Sequence, residues 1–363
     1  MSLIYNATFD SQTRVLSLLD KAGDVISSCE VPRKGNELTL TATADNSSVK
    51  LTRKGTVNNT YEVNTGSGWG SYTFDTVIKL NKGQSCKWRC STHPTTQGDY
   101  DYVHFVMTGK IEASGNVNSM LSRGFGNLTS LSGYNSAFTG LFDSCTSLVQ
   151  APELPATTLS DSCYYRMFFG CTSLTQAPEL PATNLVDFCY SNMFCNCTSL
   201  TQAPKLPVTN LVYACYSGMF ENCTSLTQAP ELPATTLASN CYSAMFDSCT
   251  SLTQAPELPA TNLASYCYHI MFRNCTSLTK APKLPATNLV YGCYNIMFRN
   301  CSKLKEVRIA ATTTAADDAL FNWLEGVSAT GDFYCDPSAT IFPTGTSGIP
   351  KYWTRRNIAD YPN

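Results

Sequence analysis

Cys145, Cys171, Cys197, Cys223, Cys249, Cys275 and Cys301 are each 26 residues apart, and Cys163, Cys189, Cys215, Cys241, Cys267 and Cys293 keep the same step. A single globular core gives no reason for such a period. A step of roughly 20–50 residues marks a solenoid, in which each coil buries its apolar edge only against its neighbours. The unit from Cys249 to Asn274 reads CTSLTQAPELPATNLASYCYHIMFRN. Leu252, Ala255 and Leu258 are expected to point inward around a short strand whose extent is limited by Pro256 and Pro259, since proline cannot donate to a ladder. Leu263, Cys267 and Met271 follow at i, i+4 and i+8, a spacing that predicts one face of a short helix. Phe272 and Cys275 close the coil. One strand and one short helix per coil is leucine-rich-repeat logic.

The rest of the chain divides around this array. Residues 1–34 predict a β-hairpin: Arg14–Leu19 and Val25–Cys29 are joined by the turn Lys21-Ala22-Gly23-Asp24, with Gly and Asp supplying the turn chemistry. An isolated hairpin is marginal in water, so this one is expected to pair with another element or another copy. Residues 35–112 predict a small β-sandwich, since LTLTATA, SVKLTRKG, TYEVNT, TVIKLN and SCKWRCST alternate with turn residues. Residues 113–144 predict an entry cap, in which Ala137, Phe138, Leu141 and Phe142 take the register of the repeat's Cys, Tyr, Met and Phe. The array proper spans 145–304. Residues 305–363 predict a C-terminal cap with a strand around Leu304, Val307 and Ile309, a helix from Asp317 to Leu324 ending near Gly326, and a covering tail. The fold class is thus α+β and β-rich: a hairpin and a small sandwich followed by a capped leucine-rich-repeat solenoid.

Composition excludes several function classes. Net charge is −2 with 14% charged residues, too neutral and evenly spread for electrostatic nucleic-acid binding. No apolar run approaches the roughly 18 residues of a membrane span, and MSLIYNATFDSQTRV lacks the apolar stretch of a secretory signal. Of the eighteen cysteines, twelve occupy two fixed phases of the six full repeats. Identical side chains that stack point the same way, which is poor disulfide geometry, so buried thiol ladders are expected.

The F-x-x-C-T-S-L-T core of each coil, as in Phe246 to Thr253 and Phe272 to Thr279, resembles the BspA-like leucine-rich-repeat family. The resemblance covers about residues 145–304, with a period lengthened by the A-P-x-L-P-A-T stretch. It implies a surface adhesion or interaction protein. LSLLDKAGDVISSCEVP near the start and GTSGIPKYWT near the end resemble fibre-type virion proteins of phages that infect gut bacteria. That second resemblance implies a virion fibre or decoration protein on the phage exterior. It would contact a host cell-surface protein or glycan, and would join other virion proteins or copies of itself through the N-terminal β-region. A bacterial cell-surface adhesin whose signal was removed is the alternative.

Catalysis finds no motif. His93, His104 and His269 lie in no G-x-S-x-G or H-E-x-x-H context, and no cofactor is expected. Cys86, Cys90 and His93 offer three zinc ligands where a structural site wants four. Cys86, Trp88 and Cys90 alternate as the core face of a strand. Cys195 falls where other coils carry Phe169, Glu221, Asp247, Arg273 and Arg299, which predicts an exposed thiol.

Within this one chain, five slots per coil vary while the rest hold: the two before Cys-Tyr, the two after it, and the one after Met-Phe. Because 26 residues bring the chain back to the same place, these slots should form columns. The candidate ligand-contact face is Tyr165, Arg166, Phe169, Phe188, Asn192, Tyr213, Asn240, Asp247, Tyr266, His269, Arg273, Tyr291, Asn295 and Arg299. A drifting surface collects Lys, Gln and Glu. The thirty slots hold one Glu and no Lys, Gln, Met or Trp, and all but Glu221 can be encoded by codons ending in a pyrimidine. Tyr, Ser, Asn, Gly and Arg are the residues of adaptable paratopes. On the opposite side, Gln150, Gln176, Gln202, Gln228 and Gln254 share a column that predicts a hydrogen-bond ladder. Glu153, Glu179, Lys205, Glu231, Glu257 and Lys283 share another, whose mixed signs relieve like-charge stacking.

Overall fold

The computed structural model describes the backbone of three N-terminal strands, together with residues 36–91, 101–121, 129–314 and 318–361. The fold is β-rich. Helical structure among the described residues is confined to two 3-10 turns, Val117–Met120 and Ile358–Asp360. The N-terminal strands Asn6–Phe9, Val15–Leu19 and Val25–Glu30 form an antiparallel meander. Two of them are the expected hairpin; the third was not read from the sequence. The hairpin's turn, His93 and Asp317 lie outside the described residues.

The described residues between 36 and 114 build two sheets. Leu38–Ala42, Ser85–Cys90, Tyr61–Asn64 and Trp69–Tyr72 run antiparallel in the larger one. Tyr102–Thr108, Ser47–Lys54 and Ile78–Leu80 form the other. Alternate residues face inward, so Leu38, Leu40, Cys86, Trp88 and Cys90 of one sheet and Val49, Leu51 and Phe105 of the other are wholly buried. The sheets meet where Trp88 sets its ring edge-on to Phe105, centroids 5.2 Å apart. Ile111–Ser114 ties this region to the array. It pairs antiparallel with Leu38–Ala42 on one side and parallel with Leu148–Gln150 on the other.

Equivalent residues of consecutive repeats then lie one upon another. The rings of Phe142, Phe168, Phe194, Phe220, Phe246, Phe272 and Phe298 stack nearly parallel at 5.4–5.8 Å. Tyr164 to Tyr294 form a second column at 5.8–6.0 Å. Parallel rings contribute roughly 0.5–1.5 kcal/mol per pair beyond their buried area.

The segment predicted as a helix is not one. In it, alternate amides serve two different partners. Tyr164, Arg166 and Phe168 N–H donate to Cys189, Ser191 and Met193 of the next repeat, while Tyr165, Met167 and Phe169 N–H close turns onto Ser162, Tyr164 and Arg166. Every fourth residue is left-handed: Ser162, Arg166 and Gly170 in one repeat, Tyr266, Ile270 and Asn274 in another. The result is a ladder of four-residue turns, hydrogen-bonded along the stack like a sheet. Leu263, Cys267 and Met271 do face inward, as a helix would have required, with Cys267 and Met271 wholly buried. Their spacing of four matches the turn period as well as it matches a helical face.

The predicted strand is also curtailed. In the central repeats only isolated bridges form, Gln176 to Gln202 and Gln228 to Gln254, with Asn210 to Thr236 further along the coil. The two prolines that follow each glutamine supply no N–H, so no ladder can propagate there.

The stack continues past the point where the sequence pattern decays. The expected capping helix is one more turn ladder. Tyr294, Ile296 and Phe298 N–H donate to Ala319, Phe321 and Trp323 carbonyls, and Trp323 covers both ring columns with its centroid 6.4 Å from Tyr294 and from Phe298. Glu306–Ile309, Gly331–Cys335 and Trp353–Asn357 follow as parallel strands on Lys283–Leu284 and close the end.

Candidate functional site

The two cysteine phases explain what holds the variable slots in register. Cys171, Cys197, Cys223, Cys249, Cys275 and Cys301 each donate Sγ–H to a phenylalanine carbonyl of the repeat before, at 2.9–3.2 Å. Cys145 does the same to Phe105. Burial pushes the Cys163 and Cys215 thiols up to about 12 and raises those of Cys171, Cys223 and Cys275 well above the ordinary range, with neighbouring cysteines adding to it. The thiols from Cys145 to Cys301 are thus placed as donors, and the seventeen described cysteines are free and buried. Cys86, Trp88 and Cys90 line the sandwich core as the alternation predicts. Cys195, expected at the surface, is only 4% exposed, and burial followed by the nearby Glu221 carboxylate pushes its thiol up to about 12. Its column turns inward at this repeat.

Three columns on the turn ladder have left-handed backbone. One holds Gly170, Asn196, Asn222, Ser248, Asn274 and Asn300, residue types suited to that conformation. It is knit by side-chain bonds from Asn222 to Asn196, Asn274 to Ser248 and Asn300 to Asn274, at 2.7–3.1 Å. The other two are variable slots: Ser162, Phe188, Ala214, Asn240, Tyr266, Gly292 and Arg166, Asn192, Gly218, Ala244, Ile270, Ile296. Phe188, Tyr266, Ile270 and Ile296 sit at φ of 56–60°, where an L side chain costs roughly 1–2 kcal/mol and a β-branched one is an outlier. The same backbone therefore obeys its conformational preference in the constant column and disregards it in the variable ones. Strain of this kind gathers at functional positions. The sequence signal for it was present but unread: Gly, Asn or Ser recurs four residues after the second variable column in every coil.

The structure sorts the fourteen candidates. Phe188, Tyr213 and Tyr291 are exposed, at 38%, 42% and 53%. Tyr165, Arg166, Phe169, Asn192, Asn240, Tyr266, His269, Arg273 and Arg299 are half-buried along the same edge. Arg166 lies over the Phe169 ring at 3.7 Å and pairs with Asp143 at 3.1 Å. Arg299 pairs with Glu325 at 2.8 Å. His269 Nδ1 lies 3.4 Å from Ser243 Oγ, and burial, then Arg273, lowers its pKa. Two candidates leave the face. Asn295 is 9% exposed and donates to the Asp318 carbonyl. Asp247 is 1% exposed and held by the Arg273 guanidinium, Ser248 and Asn274, an internal ion pair rather than a contact residue.

Rings on this edge meet at two places. Phe188 and Tyr213, from consecutive repeats, stand edge to face at 5.1 Å and 81°. Tyr266 and Tyr291 do the same at 5.1 Å and 86°, with His269 edge-on to Tyr266 at 5.2 Å. On the opposite side, where proline interrupts the ladder, shallow clefts of 330, 460 and 390 Å³ open between repeats and are lined by Pro, Ala, Leu and the Glu/Lys column. The glutamine column bonds directly where Gln176 donates to Gln202 at 3.0 Å. No group of three or more metal-ligating side chains is gathered among the described residues, and no helix among them is long and apolar enough to cross a membrane.

The family model described as BspA type leucine rich repeat region matches the chain in six copies, over residues 127–253 and 191–327. No curated protein matches the chain, and no solved structure does.

Proposed function

The chain belongs to the BspA-type leucine-rich-repeat family, and on that premise we propose that it is a non-enzymatic adhesion protein whose stacked repeats form a solenoid presenting the variable turn-ladder edge to a host-surface partner. One observation carries this reading. The variable columns tolerate bulky side chains on left-handed backbone, while the constant column beside them does not. Selection for what these side chains touch accounts for that difference; selection for folding would have removed it. Leucine-rich-repeat solenoids offer extended surfaces of this kind to partners.

Our reading of its place is the exterior of a phage virion, as a fibre or decoration protein. The near-neutral charge and the GTSGIPKYWT segment support it. The N-terminal strands would then attach it to other virion proteins or to further copies of itself. A bacterial cell-surface adhesin is the competing reading, favoured by the family match itself. Immunogold electron microscopy of a producing culture, with antibody against the repeats, separates the two. Gold on particle tails or capsids supports the virion component, whereas gold confined to cell envelopes rejects it in favour of the adhesin.

A further inference from the structure

The two ring pairs on the variable edge are the same aromatic arrangement built twice. In each, an aromatic residue on left-handed backbone (Phe188, Tyr266) turns edge-on to a tyrosine one residue short of the equivalent position in the next repeat (Tyr213, Tyr291). In each, the residue after that tyrosine is small, Ala214 in one and Gly292 in the other. A side chain at Gly292 would overlap the Tyr266 ring. Each pair also has a carboxylate fixed beside it by a backbone amide, though from opposite sides: Asp187, in the coil of Phe188, accepts from Tyr213 N–H, and Asp318, in the coil after Tyr291, accepts from Gly292 N–H, both at 3.1 Å. The two corners are 78 residues apart, so three repeats separate them along one edge. The one repeat between them carries Ser239 and Asn240 in these columns, polar but uncharged.

We propose that the corners Phe188/Tyr213 and Tyr266/Tyr291 are twin subsites for a saccharide polymer, each seating the apolar face of one sugar ring against an aromatic wall while Asp187 or Asp318 accepts from its hydroxyls. This rests on the variable edge being the binding face and names the chemistry that the face recognises. An aromatic wall beside fixed acceptors suits a ligand that is apolar on one face and hydroxylated at its rim. A site duplicated in line suits a ligand that itself repeats, because the second subsite then acts at the high effective concentration set by the first. The three arginines of the variable columns, Arg166, Arg273 and Arg299, are each paired with a carboxylate, which argues against a polyanionic chain.

The test uses the full chain against an array of purified neutral bacterial envelope polysaccharides, each spot duplicated after periodate oxidation, and against whole host cells. The variants are Tyr213→Ala, Tyr291→Ala and the pair together, with Tyr352→Ala, 67% exposed and away from the edge, as control. The tyrosines changed are themselves largely exposed, so thermal midpoints should stay within a few degrees of the parent. The expected result is retention on at least one polysaccharide, abolished by periodate, weakened about tenfold by either single change and at least a hundredfold by the double, and untouched in the control. Retention on no polysaccharide, or retention that the double variant leaves intact, overturns the saccharide subsites. Cell binding that is protease-sensitive, periodate-resistant and lost in the double variant also overturns them, while leaving the variable edge as the binding face. Cell binding indifferent to the double variant and to Arg166→Ala refutes both readings.

Discussion

The ring of Tyr266 lies directly over Gly292 of the next repeat, so close that a methyl group on the glycine would overlap Cδ1 and Cε1 of the tyrosine. Gly292 is also left-handed, at φ 60°. Two penalties therefore fall on Gly292→Ala, one from backbone conformation and one from overpacking. Together they should cost about 2–4 kcal/mol. In a Tyr266→Ala background the steric part disappears and about 1–2 kcal/mol should remain. Urea denaturation of the four proteins of this cycle checks it. Additive effects would show that Tyr266 does not rest on Gly292.

Ile270 and Ile296 occupy left-handed backbone that suits asparagine. Replacing either by Asn should stabilise the protein by about 1 kcal/mol, since relieved strain outweighs the loss of a half-buried aliphatic side chain. The reverse change in the constant column, Asn274→Ile, adds strain and removes the bonds from Asn274 to Ser248 and from Asn300 to Asn274. It should destabilise by about 2–3 kcal/mol. Thermal midpoints measured side by side would show opposite signs. Equal signs would remove the distinction between the two kinds of column.

Much of this arrangement was legible in the chain. The 26-residue step gave the stack and its constant inward residues, because a coil that returns to the same place must repeat its core. Cys86, Trp88 and Cys90 gave a strand face, because alternation has only that reading. The turn ladder was hidden, because Leu263, Cys267 and Met271 space four apart in it as they would on a helix. What distinguishes the two is the αL residue at every fourth position, and only the third of those columns, Gly170 to Asn300, carries the residue types that announce it. Cys195 and Asp247 were misplaced for a different reason. A slot that varies in identity reads as exposed, yet Asp247 varies into a buried ion pair and Cys195 into a buried thiol.

The buried thiols make the protein alkali-sensitive. Free in an unfolded chain, cysteine titrates near 8.5; in the fold, burial holds Cys163, Cys195 and Cys215 protonated up to about 12. The folded pKa is raised, so this contribution is whole below roughly pH 8.5 and is lost as pH climbs toward 12. Each such thiol removes ~1.4 kcal/mol of stability per pH unit over that interval. The urea midpoint should be level from pH 6 to 8 and fall steeply from pH 9 to 10.5. Over the same range a thiol-reactive dye should label the native protein negligibly and the unfolded one fully. A level midpoint to pH 10.5 would show that burial does not hold these thiols protonated.

Asp247 and Arg273 make the sharpest contrast between structural and contact roles on the variable edge. Asp247 is 1% exposed and its carboxylate takes both Nε and a terminal nitrogen of Arg273. Removing the cation by Arg273→Met leaves a buried carboxylate beside Glu221, whose own pKa is already raised by burial and by Asp247. That change should destabilise by about 3–5 kcal/mol. Removing both charges, by Asp247→Asn with Arg273→Met, should restore most of the loss, because a buried pair contributes little over neutral packing. Neither protein should differ from the parent in ligand binding once compared at equal folded fraction, whereas Tyr213→Ala should differ without any loss of stability. A binding defect in the stable double variant would return Asp247 to the contact face and give Arg273 a contact role beside its pairing.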